Sequence, residues 1–324
     1  MRGAGMSRSI AVLIPCHNEA ATIAKVVRDF RAALPDAAIH VYDNNSTDGT
    51  AAAAEAAGAL VRTELLQGKG NVVRRMFADI EADLYVLVDG DDTYAAAAAP
   101  SMITALEQNR LDMVNASRVP DRPGQERFGH AFGNRLLTGL VRRIFGARLL
   151  DMLSGYKVLS RRFVKSFPCL ASGFEIETEI TVHALELRMP IRELPAGYRE
   201  RPEGSASKLR TIRDGIRILW TILRLVQAER PLLFYGSACI ALVAAAIWLM
   251  IPVLVTFEHT GLVPRFPTVI LATGMTLLGF LSLACGLILQ TVTLGRLEAK
   301  RMIYLGIPAV SRPGESTGPD SRDQ

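Results

Sequence analysis

Apolar runs of four to six residues, each followed by a stretch of helical periodicity, fill the first part of the chain: residues 10–15 then 22–34, 39–42 then 50–57, 60–64 then 71–80, and finally 84–88. Strand and helix repeated in this way predict an α/β sheet with mainly parallel strands. In such a sheet ligands gather in the crevice beyond the carboxyl ends of the strands. Every polar cluster of interest in this half follows a strand at that end.

The pattern then changes. Residues 232–294 hold only two charged residues, Glu258 and Arg265. Residues 232–257 and 268–294 each exceed the roughly 20 apolar residues that cross a bilayer as a helix, which predicts two transmembrane helices. Just before them, Arg210, Arg213, Arg217 and Arg224 alternate with Ile212, Ile216, Leu219, Trp220, Leu223 and Val226, the pattern of an amphipathic helix lying in the membrane interface. The expected organisation is a catalytic domain over residues 1–209, a juxtamembrane helix over 210–230, two spans within 231–295 and a cytosolic tail over 296–324, polar and disordered from residue 311. Arg and Lys flank both spans on their outer sides, which places both ends in the cytoplasm. Residues 10–15 are too short for a signal peptide's apolar segment, so the catalytic part is expected to stay cytosolic.

With 324 residues, 49% of them hydrophobic, the chain has room for one sizeable domain besides the lipid-embedded part. The net charge of +5 is concentrated: residues 118–148 carry seven Arg against two acidic residues, with no aromatic ladder for stacking bases. Beside membrane spans, that arrangement favours membrane lipids and phosphate-bearing lipid as partners and argues against nucleic acid. Cys16, Cys169, Cys239 and Cys285 have no paired spacing, and His17, His40, His130 and His183 form no ligand motif, so neither a disulfide framework nor a zinc site is expected.

The strongest chemical signal is Leu84-Tyr-Val-Leu-Val-Asp-Gly-Asp-Asp92, a buried strand ending in carboxylates. A turn at Gly90 lets Asp89 and Asp91 reach one hard cation, Mg²⁺ or Mn²⁺, which would neutralise charge on a departing nucleoside diphosphate. Asp-Gly-Asp-Asp is also plain turn chemistry. The first strand ends Ile14-Pro-Cys-His-Asn-Glu19 and the second Val41-Tyr-Asp-Asn-Asn-Ser-Thr-Asp-Gly49, bringing Glu19, Asp43 and Asp48 to the same rim, where carboxylates can accept hydrogen bonds from a ribose and a base. Asn18, Ser46 and Asp48 suit helix capping equally well. Gly68-Lys-Gly-Asn71 lacks the Walker spacing and reads as a glycine turn, with Lys69 a minor phosphate candidate. Arg118, with its planar fork of donors, suits an acceptor phosphate, and Arg127 or Arg135 could assist; Arg142, Arg143 and Arg148 suit a basic face near headgroups. One of Glu175, Glu177 and Glu179 could touch a donor sugar.

Taken in order and spacing, Ile-Pro-Cys-His-Asn-Glu, Tyr-Asp-Asn-Asn-Ser-Thr-Asp-Gly-Thr and Val-Asp-Gly-Asp-Asp resemble the inverting family-two glycosyltransferases of GT-A fold. Asp151-Met-Leu-Ser-Gly-Tyr-Lys157 and Tyr198-Arg-Glu-Arg-Pro-Glu-Gly-Ser-Ala-Ser-Lys208 resemble the dolichol-phosphate mannose synthase branch and its bacterial polyprenyl-phosphate relatives. The resemblance covers residues 9–209. It implies that Pro15, Glu19 and Asp43 hold the nucleoside of a UDP- or GDP-sugar, that Asp89 and Asp91 hold metal and diphosphate, and that Arg201 and Lys208 hold donor phosphates. It further places Asp151 close to the reacting centre, with Ser154 and Gly155 following in the motif. Many relatives carry a Gln shortly after the second metal-binding Asp; Thr93-Tyr94 stands here instead.

The expected reaction is inverting transfer of a sugar to undecaprenyl or dolichyl phosphate. Asp91, Asp151 and Arg118 are the expected catalytic residues, and Ser154 joins the arginines at the acceptor. Alternatives are the same fold acting on a glycan or another lipid, and a dinucleotide-dependent membrane oxidoreductase, which would want a GxGxxG turn where Pro15 to Glu19 stands. The sequence leaves room for a homo-oligomer without indicating one.

Overall fold

The computed structural model describes residues 8–120, 139, 151–173, 175–198, 223–224 and 226–310. The chain divides into two compact units, Met1–Gly215 with Lys300–Gln324, and Ile216–Ala299. The expected interfacial helix before Gln227 and the tail from residue 311 lie largely or wholly outside the described residues.

The first unit follows the predicted alternation: β1 (Ile10–Cys16), α1 (Ile23–Ala33), β2 (Ala38–Asp43), α2 (Thr50–Ala56), β3 (Leu60–Thr63), α3 (Lys69–Asp79) and β4 (Leu84–Leu87), then α4 (Ala99–Gln108), β5 (Met113–Pro120), β6 (Lys157–Ser160), α5 (Arg161–Ser166), α6 (Ile176–Glu186) and β7 (Ile191–Tyr198). The seven strands form one sheet in the order β3-β2-β1-β4-β6-β5-β7. β1 pairs in parallel with β2 and β4, and β5 in parallel with β7, while β6 runs antiparallel to both β4 and β5. Six strands therefore share one direction, and their carboxyl ends share one edge. Because β6 runs against them, the chain entering it, from Asp151 to Tyr156, arrives at that same edge.

Side chains alternate across the strands and both faces are covered, as a mainly parallel sheet requires. On one face Val12, Ile14, Val41, Val86 and Val158 pack against Ile23, Val27 and Phe30 of α1 and Met102 and Leu106 of α4. α3 buries Val72, Val73, Met76 and Phe77, and Tyr42 is anchored to it by a hydroxyl hydrogen bond to Asp79 Oδ2 at 3.1 Å.

The second unit consists of α7 (Pro231–Thr260) and most of α8 (Phe266–Leu305), both long and apolar enough to cross a membrane. They approach closely at Gly279 and Gly286, where an added Cβ would stand 3.2 Å from Val243 Cγ2 and 3.0 Å from Tyr235 Cβ. Trp248, Leu254, Phe280 and Ile288 stand exposed, with no core of their own to bury them. Such surfaces suit lipid and suggest membrane association.

Candidate active site

The rim begins where β1 and β2 end, with Cys16 in register with Asp43. Pro15 and Asp43 are buried there. Asp43 Oδ2 accepts from the Ser46 amide at 3.1 Å, while its buried Oδ1 has no partner. Beside it the two loops are laced together. Asn18 N–H donates to Ser46 Oγ at 2.8 Å, Thr47 N–H to Asn18 Oδ1 at 2.8 Å, and Ala20 N–H to Asp48 Oδ2 at 3.1 Å. Asn18, Ser46 and Asp48 thus lace the turns together; the N-cap positions of α1 and α2 are Thr22 and Gly49, so the helix capping expected of these three residues is not found.

The loop after β4 delivers the two aspartates. Asp91 is buried, and its Oδ1 accepts from the Thr93 amide at 3.2 Å and hydroxyl at 2.6 Å. Asp89 is half-buried and ion-paired with Lys69. Only glycine fits between them: a Cβ on Gly90 would run into the Glu19 carboxylate and Cys16 Sγ. Gly155 is held to the same standard, since its Cβ would overlap the Asp89 carboxylate. Burial, then the charges of Asp89 and Asp91, push the Glu19 carboxyl up to about 8, and its buried Oε2 has no partner. Asp89 and Asp91 thus stand on one turn, on a rim where buried oxygens of Glu19 and Asp43 lack partners. Asp89 and Asp91 therefore fit a hard divalent cation, although no ready-made group of three or more His, Cys, Asp or Glu ligands exists among the described residues.

Lys69, read from the sequence as part of a simple glycine turn, opens α3 and is buried between Asp89 and Glu177, paired with both. Burial lowers its proton affinity and the two carboxylates raise it by more, so it is held charged. The three glutamates separate by role. Glu177 meets Lys69, Glu179 accepts from the Leu170 and Ala171 amides at 2.9 and 2.8 Å, and Glu175 lies against Gly173.

Across the edge, Arg118 near the end of β5 grips Asp151: Nε donates to Oδ2 at 2.6 Å and Nη2 to Oδ1 at 2.8 Å. Burial pushes the Asp151 carboxyl up, but Arg118 more than offsets this and holds it below the usual carboxylate range. Ser154 is buried, and its hydroxyl lies 3.4 Å from Tyr94 Oη, which also accepts from the Gly155 amide at 2.9 Å. Tyr94, in the Thr93-Tyr94 pair after Asp91, thus ties the loop after β4 to the loop before β6. It packs on Tyr156 and Tyr198 with ring centroids 5.5 and 5.3 Å apart.

The edge therefore gathers Pro15, Glu19, Asp43, Asp89, Asp91, Arg118, Asp151 and Ser154. Arg127, Arg135, Arg201, Lys208 and His130 lie outside the described residues. Lys157 enters from the sequence only as the end of the Asp151–Lys157 motif, and Asn115 and Glu193 are not singled out by it. All three bind around Asp151. A buried lysine directly after a motif glycine and tyrosine was the available signal.

Residues 11–167 match the family Glycosyl transferase family 2. Glycosyltransferase AglJ of Haloferax volcanii is 36% identical over 243 residues, 74% of this chain and 80% of that protein. Protein RfbJ of Shigella flexneri is 60% identical over 112 residues, 35% of this chain and 87% of that one. Among solved structures, glucosyl-3-phosphoglycerate synthase from Mycobacterium tuberculosis in complex with Mn²⁺ and UDP-glucose superposes with a TM-score of 0.56 at 25% identity, covering 68% of this chain and 79% of the other.

Proposed function

The chain belongs to glycosyl transferase family 2, and on that premise we propose that it moves a sugar from a UDP- or GDP-sugar onto a polyprenyl phosphate, undecaprenyl or dolichyl, with inversion at the anomeric carbon. This is the reaction of the dolichol-phosphate mannose synthase-like branch that the motifs resemble. The observation that carries it is a pairing within one chain: a carboxylate rim faced by the Arg118–Asp151 ion pair, and two helices apolar and long enough to cross a bilayer.

Pro15, Glu19 and Asp43 would line the nucleoside, and Lys69, Arg201 and Lys208 the donor phosphates. Asp89 and Asp91 would hold Mg²⁺ or Mn²⁺, the latter being the ion in the glucosyl-3-phosphoglycerate synthase complex. When bound, that ion supplies charge neutralisation for the departing nucleoside diphosphate. Arg118, with Arg127 and Arg135, would draw in the acceptor phosphate. A phosphate monoester is nearly doubly ionised at neutral pH, its second pKa being about 6, so its oxygen attacks without a base. Asp151 then orients Arg118 and acceptor and takes no proton. Catalysis rests on positioning and on charge neutralisation. Residues 1–209 would form the cytosolic catalytic part, 210–230 the interfacial helix and 231–295 the spans, with both termini cytoplasmic.

A second reading is a soluble or glycan acceptor. One observation favours it: a glucosyl-3-phosphoglycerate synthase of the same fold is described in complex with phosphoglyceric acid, a small phosphate-bearing acceptor. Incubating the purified protein with polyprenyl phosphate, Mn²⁺ and labelled UDP- and GDP-sugars, then extracting with organic solvent, separates the two. Label in the lipid phase with wild type and not with Asp91→Ala supports the lipid acceptor. Label confined to water-soluble products from every donor rejects it.

A further inference from the structure

Three residues distant in sequence form one rung of the sheet. Asn115 of β5 stands in register with Lys157 of β6 on one side and with Glu193 of β7 on the other. Their side chains join along that line. Lys157 Nζ donates to Asn115 Oδ1 at 2.5 Å, and Asn115 Nδ2 donates to Glu193 Oε1 at 3.0 Å. An ammonium and a carboxylate at opposite ends polarise the amide between them and fix which way it faces.

The rung holds something. Asn115 Nδ2 also donates to the Asp151 carbonyl oxygen at 2.6 Å, and Glu193 Oε1 also accepts from the Asp151 amide at 3.1 Å. Both backbone polar groups of Asp151 are thus fastened to the sheet, and its carboxylate receives Arg118 at both oxygens and the Leu153 amide at Oδ1, 3.2 Å away. A residue in a loop entering a strand acquires the positional precision of the sheet itself. Lys157 is fully buried, and burial pulls its proton affinity down, to about 8. A core lysine serving packing alone would be replaced at little cost by an apolar residue. This one instead orients an amide that orients Asp151.

We propose that Lys157, Asn115 and Glu193 are positioning residues for sugar transfer, one rung that locks the Asp151 backbone so that Asp151 and Arg118 present a fixed face to the acceptor. The inference rests on the reading that Asp151 and Arg118 face the acceptor, and it adds the residues that set them there. None of the three need touch donor or acceptor.

The test uses the full chain in detergent, with Glu193→Gln, Lys157→Met and Lys157→Arg, read in two ways. The first is amide hydrogen exchange over residues 151–156, which needs no acceptor. Glu193→Gln and Lys157→Met should speed exchange there about tenfold or more while β1 to β4 exchange as in wild type. The second is steady-state kinetics with Mn²⁺. kcat should fall on the order of 30-fold with the donor KM within about twofold, and Lys157→Arg should recover most of the loss. Unchanged exchange over 151–156 overturns the proposal. So does a loss of kcat that tracks donor affinity and thermal midpoint together and is not recovered by Arg. If wild type forms no lipid product, the lipid acceptor fails separately. The kinetic comparison is then made on donor hydrolysis, and the exchange criterion stands as before.

Discussion

The guanidinium of Arg118 meets the carboxylate of Asp151 at two points, Nε to Oδ2 at 2.6 Å and Nη2 to Oδ1 at 2.8 Å, with the Arg118 amide a third donor to Oδ2 at 3.3 Å. A planar fork on a planar carboxylate fixes both groups in orientation as well as distance. Lysine supplies the charge without the fork. Arg118→Lys should therefore lower kcat/KM for the acceptor on the order of 10- to 100-fold and leave donor affinity near wild type. Arg118→Ala should lose more, because the buried Asp151 carboxylate is then uncompensated. Kinetics with acceptor and donor varied separately check both.

Glu19 links stability to pH. Its carboxyl is pushed from 4.5 to about 8, by burial first and by Asp89 and Asp91 second. Between those values the folded protein holds a proton that the unfolded chain has released. This contribution is complete below about 4.5 and is lost as pH rises through about 8. The thermal midpoint of wild type should thus fall from pH 5 to pH 8.5 relative to that of Glu19→Gln, which has no proton to lose. Parallel curves for the two proteins would contradict the assignment.

Lys69 compensates Asp89 and Glu177 at once. Lys69→Met leaves two carboxylates facing each other in a buried place and should destabilise by roughly 3 kcal/mol. Adding Glu177→Gln removes one of them, so the double variant should be more stable than Lys69→Met alone. The coupling, about 1 kcal/mol or more, is read from a double-mutant cycle of denaturant midpoints.

Gly155 lets the loop before β6 close on Asp89. In Gly155→Ala the new methyl group overlaps the Asp89 carboxylate, which sits on a short side chain with little room to move aside. The protein should fold, with an overpacking cost of about 1–3 kcal/mol. Mn²⁺-dependent binding of UDP or GDP should weaken about tenfold or more, as calorimetry with and without the metal would show.

Tyr94 carries a prediction of its own. Its Oη accepts the Gly155 amide at 2.9 Å, so Tyr94→Phe leaves that buried N–H without its partner. The expected cost is about 1–3 kcal/mol in stability, measured as a shift in denaturant midpoint, together with faster amide exchange at Gly155.

Periodicity along the chain suffices to read the alternation of strand and helix, the two apolar segments, and the edge where the chemistry sits. Those features are local: periodicity declares each element, and in a sheet of one strand direction every carboxyl end falls on the same edge. Hence Glu19, Asp43, Asp89 and Asp91 could be placed together from three short motifs. The remaining features depend on pairing between distant segments. β6 enters antiparallel between β4 and β5, which brings the loop holding Asp151, Ser154 and Gly155 to the rim, with Gly155 against Asp89. Lys69 meets Glu177 across 108 residues, and Asn115 meets Lys157 and Glu193 across 42 and 78. Helix packing sets the first of these meetings; sheet register sets the other two, where a shift of one residue would turn each side chain to the opposite face. No spacing within a motif encodes that register, so a lysine that reads as the end of a motif becomes, in the fold, the anchor of a rung.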